Sequence, residues 1–368
     1  MNPPSKIRVL IVDDSAIVRR MLSEALSQDP ELEVVGTASD PFAARDMILQ
    51  LHPDVLTLDL EMPRMDGLTF LRILQENHPI PVVVVSSLTP AGSKIAMRAM
   101  EFGAVEVVAK QNSAWTVAAL RENLGHRVKA AARARLPLLR PPPGASLTDA
   151  DAGDFHYFPR QLIVMGASTG GTEAIKYVLT RLPANLPGIC IVQHIPPVFS
   201  KTFAERLNEC CAMEVREAAH GDEVRRGTAW IAPGDFHLAV EWDGVHYRLR
   251  LRQDPPIHYT RPAVDMLFHS AAHCAGRQAV GVLLTGMGRD GAQGMQQLKA
   301  AGAATLAQNE ATCVVYGMPR AAVEQGAVDR VLPLDQMPQA ILQAVREHAV
   351  KIGTPSAKSI YESDSANP

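Results

Sequence analysis

Short apolar runs alternate with amphipathic stretches along most of the chain, and this alternation predicts two successive α/β units. In the first third the runs are almost continuous in Val, Ile and Leu, which is typical of strands buried on both faces of a parallel sheet. The helical stretches between them repeat their apolar positions with the period of an amphipathic helix. The strands predicted here are 7–12, 32–35, 55–60, 82–85 and 105–108, and the helices are 16–26, 41–51, 68–75 and 93–102.

The alternation stops near residue 125 and resumes at Gln161. The stretch between is rich in Ala and Arg, then contains three consecutive prolines, and then becomes acidic. We expect its first part to extend the preceding helix, whereas the prolines cannot continue one. The strands predicted after it are 161–168, 188–194, 228–233, 279–286 and 304–308, and the helices are 173–182, 199–209, 263–275, 291–301 and 339–348.

Between residues 214 and 251 the hydrophobic pattern is different. Polar and apolar residues alternate one by one, and turn residues separate the runs. This pattern predicts a small antiparallel excursion at one edge of the second sheet. The tail from Gly353 is rich in Ser and is expected to be disordered. The sequence shows no internal repeat.

A chain of 368 residues is too long for one ordinary core, so the two α/β units are expected to be separate domains. The predicted layout is a first domain over residues 1–124, a linker over 125–159, a second domain over 160–350 and a flexible tail over 351–368. The predicted fold class is α/β with mostly parallel sheets.

The amino-acid composition argues against several classes of function. Hydrophobic residues make up 47% and charged residues 20%, and the formal net charge is −3, which excludes an overall basic footprint for nucleic acid. No apolar run approaches the roughly 18 residues that a membrane span needs, and the N-terminus does not read as a signal peptide. The cysteines are five, an odd number without a C-x-x-C pair, so we expect reduced thiols in a cytoplasmic protein.

Charged and hydroxyl side chains end four of the predicted strands in the first domain. They are Asp13 with Asp14, Asp59, Ser86 and Lys110. The carboxyl ends of parallel strands meet at one edge of a sheet, so three carboxylates would lie together there. Hard oxygen ligands of this kind suit Mg²⁺, and a carboxylate beside the metal, a lysine and a hydroxyl is a plausible phosphoryl acceptor. Any one of these aspartates could instead cap a helix, but capping does not account for the whole set.

With these residues, positions 7–124 closely resemble the receiver domain of bacterial two-component response regulators, which has a flavodoxin-like fold. The run LDLEMPRMDG around Asp59 carries much of the resemblance. The resemblance implies phosphorylation at Asp59, Mg²⁺ held by the three aspartates, and a switch role for Ser86 and Lys110. Ser87 could take the place of Ser86. The family usually has Lys-Pro where this chain has Lys110 followed by Gln111, which leaves the shape of that loop open.

A second candidate site begins at Ser168, in the pattern G-x-S-x-G of residues 166–170. Glycines in such a turn lift the serine to the tip of its strand, beside the free N–H groups of the next helix. The same pattern also fits an N-cap serine or a phosphate-binding loop. However, His194 and Asp290 follow two other predicted strands, so a serine, an imidazole and a carboxylate would converge above one sheet as a triad requires.

Two other patterns compete for these residues. Positions 286–291 fit G-x-G-x-x-G, with Glu310 near the end of the next strand, which outlines a dinucleotide-binding fingerprint. The motif is not on the first strand of its unit, and Asp290 would place a carboxylate beside a pyrophosphate. A more suitable role for these glycines is close approach of the backbone to a substrate, with the N–H of Met287 donating to a developing oxyanion. His269 and His273 lie four residues apart on a predicted helix, but no third metal ligand accompanies them.

Residues 160–348 resemble the catalytic domain of the chemotaxis protein-glutamate methylesterases (CheB). The matching stretches are GASTGG at 166–171, QHIPP at 193–197, APG at 232–234, LLTGMGRDGA at 283–292 and QNEATCVVYGMPRAA at 308–322. The resemblance implies Ser168 as nucleophile, His194 as base, Asp290 as its partner, Thr169 as an active-site neighbour and Met287 as an oxyanion donor. It implies no cofactor in this domain.

The same resemblance implies an activity and partners. The activity would be hydrolysis of glutamate γ-methyl esters on methyl-accepting chemoreceptors, with deamidation of receptor glutamines by the same acyl-enzyme chemistry. The phosphodonor of the receiver would be the chemotaxis histidine kinase CheA. Neither nucleic acid nor membrane insertion is expected.

Two complete sites on one chain suggest that one controls the other. Our hypothesis is that the unphosphorylated first domain occludes the crevice containing Ser168 and that phosphorylation loosens this contact. Two other function classes stay open: a receiver-controlled transcription factor, for which no basic helix-turn-helix follows the linker, and an adaptor without catalytic activity, against which the intact serine, histidine and aspartate argue.

Overall fold

The computed structural model describes residues 6–110, 117–136 and 160–353. Most of the expected linker and nearly all of the expected flexible tail lie outside these residues. No helix in the described ranges has both the length and the apolar character that crossing a membrane requires.

The first domain is a five-stranded parallel sheet with helices on both faces. Its order is β2-β1-β3-β4-β5, so the chain starts in the middle and builds outward in both directions. The strands are β1 (Ile7–Val12), β2 (Leu32–Ala38), β3 (Val55–Asp59), β4 (Val82–Ser87) and β5 (Glu106–Lys110). The helices are α1 (Ala16–Ser27), α2 (Pro41–Leu51), α3 (Gly67–Asn77), α4 (Pro90–Glu101) and α5 (Val117–Ala132). The last helix continues beyond residue 124, as expected for the first part of the connecting stretch.

The second domain is a seven-stranded parallel sheet of order β14-β13-β12-β6-β7-β9-β8 with a separate hairpin, β10-β11. Its strands are β6 (Leu162–Ala167), β7 (Ile189–Gln193), β8 (Glu214–Glu217), β9 (Thr228–Ile231), β10 (His237–Trp242), β11 (Tyr247–Arg252), β12 (Ala279–Leu283), β13 (Ala304–Gln308) and β14 (Arg330–Leu332). Its helices are α6 (Gly171–Leu179), α7 (Phe199–Cys210), α8 (Val264–Cys274), α9 (Ala292–Ala300), α10 (Met318–Glu324) and α11 (Met337–Gly353).

The predicted α/β class with parallel sheets is confirmed, but one local prediction is wrong. Residues 214–217 do not join the antiparallel excursion, because β8 pairs in parallel with β9 and forms the edge of the main sheet. Among the strands of the described residues, β10 and β11 alone pair antiparallel, and they form a two-stranded sheet of their own. An edge strand keeps one face in water, so its burial alternates in the same way as that of a hairpin strand. Helix α10 and strand β14 had no counterpart in the prediction.

The order of the second sheet determines where a site can form. Strand β6 is first in the chain yet central in the sheet, with β7 on one side and β12 on the other. The chain leaves β6 in one direction and later returns to build the opposite half, so the loops after these strands diverge and leave a crevice at their carboxyl ends. The first sheet has the same arrangement around β1, with β2 and β3 beside it.

The two domains are in contact through apolar packing. One hydrophobic cluster contains Met97 and Met100 of α4 together with Phe203 and Leu207 of α7. A second cluster joins the core between the first sheet and α5 to Val314 and Val315 of the second domain.

Candidate active sites

Ser168 stands at the tip of the central strand of the second sheet, on a sharp turn between β6 and α6. Its N–H donates to the carbonyl of Thr285 at 3.0 Å, and its own carbonyl accepts from Gly171 at 2.6 Å, which closes the turn. A Cβ on Gly171 would lie 2.1 Å from the side-chain oxygen of Gln193, so only glycine fits there. Gly170 has a φ of +76°, a left-handed conformation that side chains other than glycine rarely adopt. The serine is partly exposed.

The three side chains predicted to form a triad are hydrogen-bonded in series. His194 Nδ1 lies 3.1 Å from Ser168 Oγ, and His194 Nε2 lies 2.7 Å from Asp290 Oδ2. The ionised carboxylate can only accept, so Nε2 carries the proton and Nδ1 is left with a free electron pair facing the serine. In this tautomer the imidazole is ready to take the hydroxyl proton.

Asp290 is fixed from both sides and is only 2% exposed. Beyond His194, its carboxylate accepts from the backbone N–H groups of Val264 at 2.7 Å and Asp265 at 2.9 Å, at the start of α8. The residue before this helix, Ala263, has no side-chain acceptor, so Asp290 caps the helix from another loop. Burial opposes its ionisation, but the hydrogen bonds from His194 and from the two amides outweigh burial and lower the pKa of Asp290.

A second carboxylate beside the triad was not predicted. Asp265 is 8% exposed and accepts from the N–H of Gly294 at 2.7 Å, which ties α8 to α9. Burial, followed by the negative charge of Asp290, raises the pKa of Asp265. His258 Nε2 lies 3.4 Å from the same carboxylate. An acidic residue in the first turn of a predicted helix is too common to have marked Asp265 as part of a site.

The predicted oxyanion donor also lies at the crevice. Gly286, the residue before Met287, accepts through its carbonyl from the N–H groups of Gly317 and Met318, and this fixes the loop. Within the described part of the chain the N–H of Met287 makes no hydrogen bond, so it can serve a ligand. Its side chain packs against the cluster that joins the two domains.

The acidic residues of the first domain come together at the carboxyl ends of β1 and β3. One oxygen from each of Asp13, Asp14 and Asp59 lies within 4.8 Å of the others. The Lys110 ammonium is 2.9 Å from Asp13 Oδ2 and 2.7 Å from Asp59 Oδ2. Burial raises the pKa of Asp59 in spite of the lysine. An all-carboxylate set on an open edge fits the hard oxygen ligands that Mg²⁺ prefers.

Helix capping does not explain these aspartates. The side chains that accept from the first turns of α1 to α4 belong to other residues, namely Ser15, Asp40, Asp66 and Thr89. Asp13 Oδ1 and Asp59 Oδ1 accept from the N–H groups of Ser15 and Glu61, and the second oxygen of each carboxylate faces Lys110.

The two hydroxyls considered for the switch make different contacts. Ser86 is buried, and its hydroxyl donates to the carbonyl of Gly92 in α4 at 3.3 Å. Ser87 donates to Glu61 at 2.8 Å. Ser86 is thus bonded to α4, the helix that contacts the second domain. A change in this hydrogen bond would therefore alter the packing between the domains.

The contact between the domains includes a hydrogen bond at the serine site. The hydroxyl of Thr169, the residue after Ser168, donates to Glu106 Oε2 of β5 at 2.8 Å, and both residues are buried. Ser93 of α4 shares a hydrogen bond of 2.7 Å with Thr202 of α7. The sequence marked Thr169 as a neighbour of the site. A charged residue directly before the apolar run of β5 was the available signal for Glu106.

Ion pairs and a ring contact extend the interface. Glu101 at the end of α4 is paired with Lys176 of α6 at 2.9 Å and with Arg206 of α7. A cavity of about 290 Å³ lies between these three helices. His126 of α5 also stacks on Tyr259 of the second domain, with ring centroids 5.7 Å apart.

The competing interpretations find no support in the geometry. Asp290 lies inside the 286–291 loop with its carboxylate committed to His194 and α8, where a pyrophosphate would be repelled. Glu310 is paired with Arg135 at 2.9 Å. His269 is bonded to Gln297, and among the described residues neither His269 nor His273 belongs to a group of three possible metal ligands.

Comparison with known proteins agrees with this two-part organisation. A family profile described as CheB methylesterase matches residues 163–341, and one described as response regulator receiver domain matches residues 9–121. A protein-glutamate methylesterase/protein-glutamine glutaminase of Syntrophus aciditrophicus is 49% identical over 345 residues, which cover 93% of this chain and 100% of the relative. The protein of that name from Salmonella typhimurium is 49% identical over 343 residues, covering 93% and 97%.

A solved structure is also similar to the second domain. The CheB methylesterase catalytic domain of Thermotoga maritima is 38% identical with a TM-score of 0.49, and the match covers 50% of this chain and 97% of that one.

Proposed function

Because the chain belongs to the CheB methylesterase family, with a receiver domain in front of the catalytic domain, we propose that it is a phosphorylation-regulated serine hydrolase of chemotaxis adaptation. Its substrates are glutamate γ-methyl esters on methyl-accepting chemoreceptors, and it deamidates receptor glutamines by the same route. The observation that carries the proposal is the unbroken hydrogen-bonded series from Ser168 through His194 to Asp290.

The geometry supports a two-step acyl transfer. Ser168 Oγ attacks the γ-carbonyl carbon of the bound ester while His194 Nδ1 takes its proton. The N–H of Met287 stabilises the oxyanion. When the tetrahedral intermediate collapses, the imidazole returns the proton to the leaving methoxide, which departs as methanol. Water then attacks the acyl-enzyme with the same proton transfers and releases glutamate and free Ser168 Oγ. With an amide substrate the leaving group is ammonia.

Asp290 supports this chemistry through its charge and its position. It holds the imidazole in the tautomer whose free nitrogen faces the serine, and its charge stabilises the imidazolium that forms in each step. Its own ionisation is secured by the start of α8, where two N–H groups donate to it. The carboxylate therefore stays charged where burial alone would favour protonation.

The receiver supplies the control. Asp59 is the proposed phosphoryl acceptor, and Asp13, Asp14 and Asp59 would hold the Mg²⁺. A bound ion would supply positive charge that offsets the charge of the carboxylates and of a phosphoryl group on Asp59. Lys110 bridges Asp13 and Asp59, and its ammonium is placed to pair with a phosphoryl group on Asp59. The phosphodonor is the chemotaxis histidine kinase CheA, and the protein acts in the cytoplasm.

Control operates through the domain contact. The receiver hydrogen-bonds Thr169, the residue next to the nucleophile, and the side chain of Met287 packs against the hydrophobic cluster that receiver residues form with Val314 and Val315. These contacts support occlusion of the crevice by the unphosphorylated receiver, with release when phosphorylation shifts the receiver to its second conformation.

Methanol release from methylated receptor membranes tests the chemistry. We expect Ser168→Ala to abolish methanol release while phosphoryl uptake from acetyl phosphate at Asp59 stays intact. Reaction of Ser168 with an organophosphonate probe separates the enzyme from a catalytically silent adaptor. Methanol release by Ser168→Ala at the wild-type rate would rule out the proposed mechanism.

The same assay tests the control. Acetyl phosphate should raise methanol release by the wild-type chain and leave Asp59→Asn at its resting rate, because that variant has no acceptor carboxylate. Equal stimulation of both proteins would show that the receiver acts without phosphorylation at Asp59.

A further inference from the structure

A glutamate side chain of the receiver is hydrogen-bonded to the residue after Ser168, in an enzyme whose proposed product is a glutamate side chain. Glu106 is 5% exposed, and its two carboxylate oxygens have different partners. Oε1 accepts from Arg127 of α5 at 2.7 Å, within the receiver. Oε2 accepts from the hydroxyl of Thr169 at 2.8 Å, in the catalytic domain. Thr169 is 3% exposed and follows the nucleophile directly.

A buried carboxylate carries a desolvation cost that a contact serving only to hold the domains together would not need. Burying a carboxylate removes its hydration, which a pair of apolar side chains would not require, and the loss must be offset by Arg127 and by Thr169. An apolar pair at this place would hold the domains together without that cost. The choice of a glutamate therefore points to what Thr169 recognises.

We propose that, in the resting enzyme, Glu106 occupies the place of the substrate's glutamyl side chain and that Thr169 is the residue that binds this side chain. The inference rests on the proposed function. In turnover the Thr169 hydroxyl donates to the γ-carbonyl oxygen of the ester and afterwards to the γ-carboxylate of the product, as it donates to Glu106 here. The receiver then inhibits as a mimic of the product, in competition with the receptor.

A second receiver glutamate makes an equivalent contact. Glu101 lies five positions before Glu106 and is held between Lys176 and Arg206 of the catalytic domain. Lys176 is on α6, the helix that begins at the serine turn. When the receiver withdraws, both cations lose this carboxylate and face solvent beside the crevice. They are then available to an acidic segment of the receptor that carries the glutamyl group.

Substitutions at Thr169 in the full-length chain test the inference, with acetyl phosphate present so that the receiver is displaced. Methanol release is measured against the concentration of methylated receptor membranes, and labelling of Ser168 by an organophosphonate reports the nucleophile independently of the glutamyl group. We expect Thr169→Ala to raise KM about tenfold, to be rescued by Thr169→Ser, and to leave Ser168 still able to be labelled to completion, which shows that the nucleophile is intact.

Ser93→Ala is the matched control, because it removes an interdomain hydrogen bond remote from the serine turn. It should raise the resting rate without changing KM in the phosphorylated protein. If Thr169→Ala behaves in the same way as Ser93→Ala, Thr169 is only a contact between domains and the inference is wrong.

A second measurement does not depend on a Thr169 variant. A peptide with the demethylated, glutamate-bearing receptor sequence should bind unphosphorylated Glu106→Ala about tenfold more tightly than the unphosphorylated wild-type chain, since the competing carboxylate is gone. Equal affinities would show that Glu106 does not occupy the place of the product's glutamyl side chain.

The outcome at Ser168 separates this inference from the proposed function. Methanol release by Ser168→Ala would remove the proposed function itself. A different result would contradict only the inference about Glu106 and Thr169. In that case Ser168→Ala loses activity, while KM is unchanged in Thr169→Ala and the two peptide affinities are equal.

Discussion

At the scale of single residues, the proposed active site contains an aspartate that serves two elements at once. Asp290 bonds the imidazole of His194 and also completes the start of α8, which lacks an acceptor of its own. One side chain therefore fixes both the tautomer of the base and the position of a helix. Substitution at Asp290 should affect catalysis through the imidazole and stability through the helix.

Asp290→Asn should lower kcat for methanol release about ten-thousandfold, because an amide can stabilise the wrong tautomer of His194 and carries no charge for the imidazolium. Phosphoryl uptake at Asp59 is the control for folding and should not change. A decrease of less than tenfold would mean that the imidazole does not depend on this carboxylate.

Asp265→Asn should stabilise the protein at neutral pH. Burial and the charge of Asp290 raise the pKa of Asp265, so its ionised form is disfavoured in the folded state. Stability from a raised carboxyl pKa is fully present below the unfolded value of about 4 and is lost as the pH rises through the folded value. The variant should melt above the wild type at pH 7, and this gain should disappear near pH 4.

Asp329 provides the control of opposite sign. Burial opposes its ionisation, but hydrogen bonds from Thr305 and Lys299 lower its pKa, so its charge stabilises the fold at neutral pH. Asp329→Asn should therefore melt below the wild type at pH 7, with a difference that shrinks as the pH falls through the lowered pKa. Equal effects of the two variants would contradict the assigned signs.

The sequence predicted some of these residues and missed others for a physical reason. Ser168, His194 and Asp290 each follow a strand, and the carboxyl ends of neighbouring parallel strands must meet, so their proximity could be inferred from order alone. Asp265 lies inside a helix and Glu106 at the start of a strand in the other domain. Their contacts depend on how helices and domains pack, which periodicity does not encode.

At the scale of elements, the sharp turn into α6 determines where Ser168, the proposed nucleophile, lies. Gly170 combines a φ of +76° with close packing, since a Cβ there would lie 2.6 Å from Cβ of Val314. The turn, helix α6 and the 314–315 segment therefore hold one another in place. The position of Ser168 is set by the backbone and not by its own side chain.

Gly170→Ala should destabilise the protein more than Gly221→Ala. Both positions have positive φ, which costs an alanine about 1–2 kcal/mol, but nothing lies within 4 Å of a Cβ on Gly221. At Gly170 the overlap with Val314 adds about 1–3 kcal/mol. Thermal melting should rank the two variants in this order, and only Gly170→Ala should lose methanol release. Equal melting temperatures would show that the turn can relax.

Pattern reasoning was more secure for elements buried on both faces than for those at an edge. The central strands read as continuous apolar runs, and their assignment is confirmed. Strand β8 was assigned to the wrong kind of pairing, because a half-exposed edge strand has the same alternation whether its neighbour is parallel or antiparallel. Pairing partner is a property of the sheet and not of the strand.

At the scale of the whole molecule, the two domains meet through groups that respond to salt. Glu101 is 33% exposed and is paired with Lys176 and Arg206 across the interface. Ion pairs at such exposure contribute about 0.2–1 kcal/mol each and are screened at high ionic strength. The resting state of the enzyme should therefore depend on the salt concentration.

Glu101→Ala should raise the resting rate of methanol release roughly two- to fivefold, because the separated domains become more populated. Added NaCl should raise the resting rate of the wild type in the same direction and have a smaller effect on the variant. Glu24→Ala, which removes an exposed ion pair with Arg20 inside the receiver, is the control and should leave the resting rate unchanged. A salt response of equal size in Glu101→Ala would show that these pairs do not hold the domains.

Strand β5 has Lys110 of the phosphorylation site at one end and Glu106 at the other, about 13 Å apart for a strand of this length. This limits how freely the chain can be recombined. A receiver grafted from an unrelated response regulator would bring its own aspartates and lysine and would still accept a phosphoryl group. Unless its fifth strand also began with a glutamate, and the helix before it ended in one, the hybrid would accept the phosphoryl group yet have a higher esterase rate at rest.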